Sequence, residues 1–415
     1  MKKNNLSLTE KENNEIQFVI DRLPPDPSDK QIKDKLEDLR KFDENLNVEK
    51  LFNFIRRRVT TKFSEPLSLI KKSVKENAWV EEAKREGKIE FKRWKILKKE
   101  LKDSGFPEDG IEKLDLHTDQ LLDCLYNPLN STNEDKFDRR GLVTGQVQSG
   151  KTTAYLALAS KAFDAGYKCL IVLTGLLESL RVQTNSEADR LITGLDTSTP
   201  DIQNYVKIGV GNHPEVKEKY NLAKSITLSQ YGYDYRGDPL KRIKGLYESL
   251  VPDESEKDPF IIITKKNTKI LDNIIEHISK DGETNNNAPV LIIDDESDLA
   301  SIDTSKDRIE AEEDPTAINK KIRQLLNKLD RKAYVAYSAT PYANMLIPTV
   351  PSENTNDFGP DLYPSDFLWT LPIPENYLGP GKMFGITANE DGEIESKQSF
   401  FPGIITIDDT DEIYH

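Results

Sequence analysis

The 415-residue chain has little that would let it cross a membrane, hold zinc or form disulfides. No apolar run reaches the roughly 20 residues that a membrane-spanning helix needs. The polar start Met1-Lys-Lys-Asn-Asn is no signal peptide. The four histidines show no ligand spacing, so a zinc site is not expected. The two cysteines, Cys124 and Cys169, lie far apart, and Cys169 sits in an apolar run. Both read as reduced core thiols of a cytoplasmic protein. Apolar residues are scarce at 36%, and mean hydropathy is −0.63. Part of the chain is therefore expected to be solvated helix or accessory segment. Positive charge is also in deficit: the net charge is −14 and the pI about 5.0. That argues against holding nucleic acid through a bulk positive field, but not against a local basic track.

Against these deficits stands one sharp motif. Gly145-Gln-Val147-Gln148-Ser149-Gly150-Lys151-Thr152 fits G-x-x-x-x-G-K-[ST], the phosphate-cradling loop. Glycines let consecutive backbone N–H groups turn toward phosphate oxygens. Lys151 would supply a point charge, Thr152 a hydroxyl for Mg²⁺, and Thr153 a further contact. The context agrees. Leu142-Val143 leads in, a helical pattern (Ala154, Leu158, Ala162, Ala165) follows to Gly166, and Cys169-Leu-Ile-Val-Leu173 reads as a strand buried on both faces. The alternative is a Gly/Ser turn capping a helix, which this strand–loop–helix–strand context disfavours.

The alternation continues. Phe260–Thr264, Val290–Ile293 and Ala333–Tyr337 read as buried strands, and Tyr205–Ile208 as a weak one. Between them lie helical stripes at Ile270, Leu271, Ile274, Ile275 and Ile278, and at Ile318, Ile322, Leu325, Leu326 and Leu329. The expected fold is a RecA-like α/β P-loop lobe over 136–347, a parallel sheet with helices on both faces. A charged, mostly helical region is expected over 1–135, and a Pro/Gly/Asp-rich extension without clear period over 348–415.

Val290-Leu-Ile-Ile-Asp294-Asp295-Glu296-Ser297-Asp298 puts four carboxylates at the end of a buried strand. An Mg²⁺–ATP site needs one to hold the metal, for which Asp295 is expected, and one to polarise water, for which Glu296 is expected. The alternative is an acidic turn with a helix cap. Ser338-Ala339-Thr340-Pro341 follows the next strand, and its hydroxyls can bond the acidic motif and report the γ-phosphate; otherwise it is a proline-closed turn.

Lys71 to Lys102 carries twelve Lys/Arg and six Glu, a net +6 (12 − 6), interleaved with Trp79, Phe91 and Trp94. A basic stripe with aromatics could track a phosphate backbone and stack bases. The favoured alternative is a solvated amphipathic helix pair with its aromatics turned to the core.

In order, the P-loop, Asp295-Glu296-Ser297-Asp298 and Ser338-Ala339-Thr340 resemble motifs I, II and III of superfamily 2 helicases. Thr174-Gly-Leu-Leu-Glu-Ser-Leu180-Arg181-Val-Gln183-Thr184 resembles motif Ia, and Thr264-Lys265-Lys266-Asn267 motif Ib. The resemblance implies that Asp298, Ser338 and Thr340 couple hydrolysis to movement, and that Arg181, Gln183, Thr264 and Lys265 touch nucleic acid. More closely, Arg139-Arg140-Gly141 through Thr152, Gly175 through Thr184, Ile292 through Asp298 and Ala339-Thr-Pro-Tyr-Ala-Asn344 resemble the Z1 domain family, over about residues 70 to 350. Those large bacterial proteins are described as putative endonucleases linked to DNA methylation and phage defence. Gln146 and Ser297 depart from the usual pattern without removing a metal or phosphate ligand. The resemblance implies an ATP- and Mg²⁺-dependent motor acting on DNA, with a nuclease or methyltransferase partner. It also implies a second RecA-like lobe bearing an arginine finger, supplied by a longer chain or in trans. No arginine follows Arg331. The nuclease pattern Glu-x-Lys appears at Glu82-Ala-Lys84 and Glu90-Phe-Lys92, where it reads as helix surface. Two other classes stay open: a nucleotide switch that binds a protein partner without DNA, and an endonuclease subunit.

Overall fold

A computed structural model describes residues 9–24, 27–43, 46–60, 66–129, 136–146, 150–198, 206–218, 259–280, 283–284, 288–302, 316–347, 359–373, 386–388 and 394–396. Its centre is a seven-stranded sheet. In chain order the strands are β1 (Ser68–Ile70), β2 (Phe137–Thr144), β3 (Cys169–Thr174), β4 (Phe260–Lys265), β5 (Val290–Asp295), β6 (Arg331–Ser338) and β7 (Phe367–Thr370). Their spatial order is β1-β7-β2-β6-β5-β3-β4, all neighbours being parallel except β1 and β7.

Parallel pairing requires crossovers, and the crossover helices cover both faces. The main helices are α1 (Glu10–Ile20), α2 (Asp29–Arg40), α3 (Val48–Thr60), α4 (Lys92–Asp103), α5 (Glu108–Cys124), α6 (Lys151–Asp164), α7 (Glu178–Ala188), α8 (Thr268–Ile278) and α9 (Ala317–Asn327). Alternate strand residues feed two cores, as the two-residue period demands. Leu170, Val172, Ile261, Ile263, Leu291 and Ile293 pack with α4, α5 and α6. Cys169, Ile171, Ile262, Val290 and Ile292 pack with Ile270, Leu271 and Ile274 of α8 and Ile322, Leu325 and Leu326 of α9. No described helix is long and apolar enough to cross a membrane.

The region before the P-loop lobe joins the sheet through β1, and Trp79, Trp94, Leu97, Leu121 and Leu122 share the core of its first face. A buried lysine locks this region down. Lys161 of α6 has no exposed side-chain surface, and its ammonium donates to Asp115 O and Oδ1, both at 2.6 Å, and to Asp119 Oδ1 at 2.7 Å. Three acceptors satisfy its three N–H bonds, the condition for burying an ammonium. After 348, Phe367–Thr370 forms β7 beside β2. Gly141 permits this pairing, because a Cβ there would meet the Phe367 ring at 2.0 Å. Lys207 makes only an isolated bridge to Leu195, in place of the weak strand expected there; Tyr205 lies outside the described residues. Of the separate small core formed by α1–α3, capping boxes at Thr9/Glu12 and Ser28/Gln31 start the first two helices.

Candidate functional site

The strand order brings the chemistry together. β2, which leads into the P-loop, and β5, which ends in the acidic turn, flank β6, which ends at Ser338. All three run in parallel, so their C-terminal ends open on one edge of the sheet, where α/β folds bind ligands.

Gly150 has φ 84° and caps α6; a side chain at that angle would be strained. Lys151 opens the helix and folds back so that its ammonium donates to Gly145 O at 3.3 Å and Gln146 O at 3.2 Å. Thr152 and Thr153 follow in the first turn, both half-buried. Val147, Gln148 and Ser149, also expected to hold phosphate, lie outside the described residues.

Asp295 ends β5. Its carboxylate accepts from Glu296 N at 3.0 Å and from the hydroxyl of Tyr155, one helical turn beyond Lys151, at 3.3 Å. Burial pushes its pKa above the ordinary carboxylate range, against the opposing pull of the Glu296 N–H and the charges of Lys151 and Lys266. Tyr337 stacks edge-on against Tyr155, with centroids 5.4 Å apart, and its buried hydroxyl finds no hydrogen-bond partner among the described residues. Burial and the Asp295 charge both hold the Tyr337 phenol protonated.

Glu296 stands at φ 51°, a left-handed conformation uncommon for a non-glycine residue. Three features hold it there. Lys266 donates to its carbonyl at 2.7 Å. The next amide, Ser297 N, donates to Tyr337 O at 3.0 Å. The side chain passes over Gly175, where an added Cβ would sit 2.2 Å from Glu296 Oε2. The turn closes on β6: Ser338 Oγ donates to Asp298 Oδ1 at 2.6 Å and Thr340 Oγ1 to Asp298 Oδ2 at 2.5 Å. Asn344 Nδ2 donates to Ser297 Oγ at 3.1 Å.

The residues expected to touch nucleic acid are placed differently. Arg181 has no exposed side-chain surface, and its guanidinium donates to Glu178 Oε1. Lys265 donates to Glu178 Oε2 at 3.0 Å. Thr264 is buried, and its hydroxyl donates to Lys265 O at 3.2 Å. Only Gln183 is exposed, beside Glu187. One carboxylate, Glu178, thus gathers both cations, and Arg181 presents no charge to a strand of DNA in this conformation. The base-stacking alternative for the basic block is corrected as well. Trp79, Phe91 and Trp94 are buried, with Trp94 and Phe91 beneath the Lys161 ammonium. Lys84 pairs with Asp119 and Lys92 with Glu90, as helix-surface residues do.

Sequence patterns did not reveal the layer below the acidic turn. Asp294 and Lys266 form an enclosed pair, and the Asp294 carboxylate also accepts from Tyr334 OH and Ser301 Oγ. A lysine after a strand looks solvated in sequence; only the neighbouring buried Asp294, one carboxylate more than the metal motif uses, hinted at a partner.

The site suits Mg²⁺ as a nucleotide-borne ion. Among the described residues no group of three or more His, Cys, Asp or Glu side chains could cage a metal. Thr152 and Asp295 offer two hard oxygen donors, the usual protein share when phosphates and waters supply the rest. A divalent cation would also restore the ionised state that burial disfavours at Asp295.

No family model and no curated protein matches the chain. Among solved structures, the Pyrococcus furiosus Hef helicase domain aligns at 13% identity and a TM-score of 0.28, covering 58% of this chain and 37% of that one. So loose a superposition carries no functional argument.

Proposed function

We propose that the chain is a RecA-like P-loop ATPase lobe that hydrolyses ATP with Mg²⁺. The observation that carries this reading is the meeting of Lys151, Asp295 and Glu296 at one sheet edge, with Asp298 clasped by Ser338 and Thr340. Lys151, Thr152, Thr153 and the backbone of Gly145 to Gly150 hold the phosphates. Thr152 and Asp295 hold Mg²⁺, which when bound offsets phosphate charge. Glu296 orients and polarises the attacking water. Its unusual backbone is braced by Lys266, the kind of local strain that clusters at catalytic positions. The Asp298–Ser338–Thr340 clasp links the acidic turn to the strand beside the P-loop strand, so a shift at the phosphates can move the segment after β6.

We further propose that turnover is coupled to DNA in a bacterial restriction or phage-defence system, as the motif resemblance implies, with a second RecA-like lobe completing the site. Leu176, Leu177, Leu299, Tyr342, Met345 and Leu346 are exposed on the segments that follow β3, β5 and β6. An apolar rim of this kind fits a docking partner. It also favours the second reading, a nucleotide switch that binds protein without DNA. One experiment decides: ATP hydrolysis with and without single- and double-stranded DNA and RNA at stated salt. Stimulation by DNA supports the motor. Hydrolysis indifferent to nucleic acid supports the switch. Absence of hydrolysis and of ATP binding overturns both.

A further inference from the structure

The phenol of Tyr155 sits where three elements of the site meet. The side chain is fully buried. Tyr155 follows Lys151 and Thr152 by four and three residues, so all three share one face of α6. From that face its hydroxyl donates to Asp295 Oδ2 at 3.3 Å, at the end of β5. The hydroxyls of Thr184, on α7, and of Thr152 are hydrogen-bonding neighbours of the same phenol oxygen. Thr184 is itself buried. One side chain thus links the start of α6, the acidic strand and α7.

The chemistry of these groups sets the direction of each bond. A phenol has one proton to give and lone pairs to offer. With two threonine hydroxyls donating to its oxygen, its proton is left for Asp295. Asp295 Oδ1 meanwhile accepts from Glu296 N at 3.0 Å. One donor on each oxygen fixes the plane of the carboxylate, and each oxygen keeps a further lone pair for a cation or its water. A carboxylate held in this way is aimed before the cation arrives. Tyr337 supplies the contrast in the same pocket. Its ring stacks edge-on against Tyr155, yet its buried hydroxyl finds no partner among the described residues. Of the two adjacent phenols, Tyr155 is the one hydrogen-bonded to the residues that would hold the metal.

We propose that Tyr155 is a positioning residue for the Mg²⁺ pair Thr152 and Asp295, and that Thr184 orients its hydroxyl. The proposal rests on the P-loop ATPase reading. It also gives α7 a path to the metal, because a shift of α7 that withdraws Thr184 frees the Tyr155 proton to turn and loosens Asp295.

The test measures the dissociation constant of the non-hydrolysable analogue AMP-PNP on the full chain, once with Mg²⁺ and once with EDTA. The ratio of the two constants reads the contribution of the metal without any turnover. Tyr155→Phe keeps the ring and removes only the hydroxyl. In that variant the ratio is expected to fall about tenfold, the lower end of what the outer partners of metal ligands contribute. The EDTA constant is expected to stay within about twofold. A merely structural role would move that constant and the melting temperature instead. Tyr337→Phe removes the neighbouring phenol oxygen and is expected to leave the ratio within about twofold. An unchanged ratio in Tyr155→Phe, or an equal fall in both variants, overturns the positioning role alone. A ratio near one in the unaltered chain overturns the metal pair together with it. Failure of the unaltered chain to bind AMP-PNP in either condition overturns the nucleotide reading as well. Should Tyr155→Phe not fold, Thr184→Val decides: a lowered ratio with an unmoved EDTA constant supports the proposal, and an unchanged ratio overturns it.

Discussion

The ammonium of Lys266 lies 2.8 Å from Asp294 Oδ1, and neither side chain has exposed surface. The same ammonium reaches Glu296 O at 2.7 Å and Leu299 O at 3.2 Å, so its three N–H bonds end on the strand, the turn and the segment beyond. Lys266 thus ties the end of β4 to the backbone that sets the direction of Glu296. Lys266→Met would strand a buried carboxylate, a loss on the order of 3–5 kcal/mol in unfolding experiments. Lys266→Met with Asp294→Leu removes both charges and should recover much of that stability. Hydrolysis should stay depressed in the double variant while ATP affinity stays near normal, because the Glu296 carbonyl has still lost its anchor. Single-turnover rates and binding isotherms on the two variants check both halves.

Glu296→Gln should bind ATP and fail to turn it over, since an amide cannot polarise water as a carboxylate does. Lys151→Ala should lose both, because the phosphates lose their nearest cation. Reductions of about 10²-fold or more in rate are expected for each, measured as phosphate release at saturating ATP where saturation is reachable. A Glu296→Gln rate equal to that of the unaltered chain would remove Glu296 from the chemistry.

Gly175→Ala probes the same carboxylate from the other side. The new Cβ would meet Glu296 Oε2 at 2.2 Å and Leu180 Cδ1 at 2.7 Å. Both are far ends of side chains, so the fold can adjust, but Glu296 must move. A displacement of about 1 Å can cost about 10²-fold in rate. The expected result is a large fall in kcat with a melting temperature changed by only a few degrees. Unaltered kcat would mean that Glu296 does not act from its present position.

Much of this arrangement was legible in the chain. Continuous apolar runs ending in carboxylates could only be buried strands with an acidic edge, and the stripe from Ile270 to Ile278 could only be a helix against them. What escaped depends on long-range pairing. β7 has four residues, too few for a period, and exists because Gly141 leaves room for Phe367. Arg181 reads as a surface cation in a helix, yet Glu178 at i−3 and the packing around it enclose it. Lys161 and Lys266 look like ordinary polar positions, and their burial follows from carboxylates 42 and 28 residues away in sequence. These few buried charges are internal wiring that a count of lysines in the sequence cannot reveal.

The Asp298 clasp yields an uncoupling prediction. A carboxylate can accept from Ser338 and Thr340 on separate oxygens, whereas Asn offers one acceptor and Ala none. Asp298→Ala should therefore retain ATP binding and a basal rate within about tenfold of normal, but lose stimulation by whatever partner drives the cycle. Rates with and without DNA, and with and without the partner, measured on this variant, distinguish a coupling role from a catalytic one. A basal rate reduced as far as in Glu296→Gln would place Asp298 in the chemistry.

Stability should carry a pH signature from Asp189, at the end of the α7 helical run. Burial, with the nearby Asp196 charge adding to it, pushes its pKa from 3.8 up to about 6, although Thr197 N, Thr197 Oγ1, Thr193 Oγ1 and Asn185 Nδ2 all donate to it. Because the folded value exceeds the unfolded one, the stabilisation it gives is fully present below about pH 4 and is lost as pH rises through about 6. Asp164, also raised to about 6 by burial despite Arg93, adds a contribution of the same sign in the same window. Two units of displacement correspond to about 3 kcal/mol as an upper bound for one group. Urea midpoints taken between pH 4 and pH 7 should therefore fall less steeply, or rise more, in Asp189→Asn than in the unaltered chain, with the difference confined to that window. Parallel profiles for the two proteins would mean that Asp189 keeps an ordinary carboxylate pKa in the folded chain.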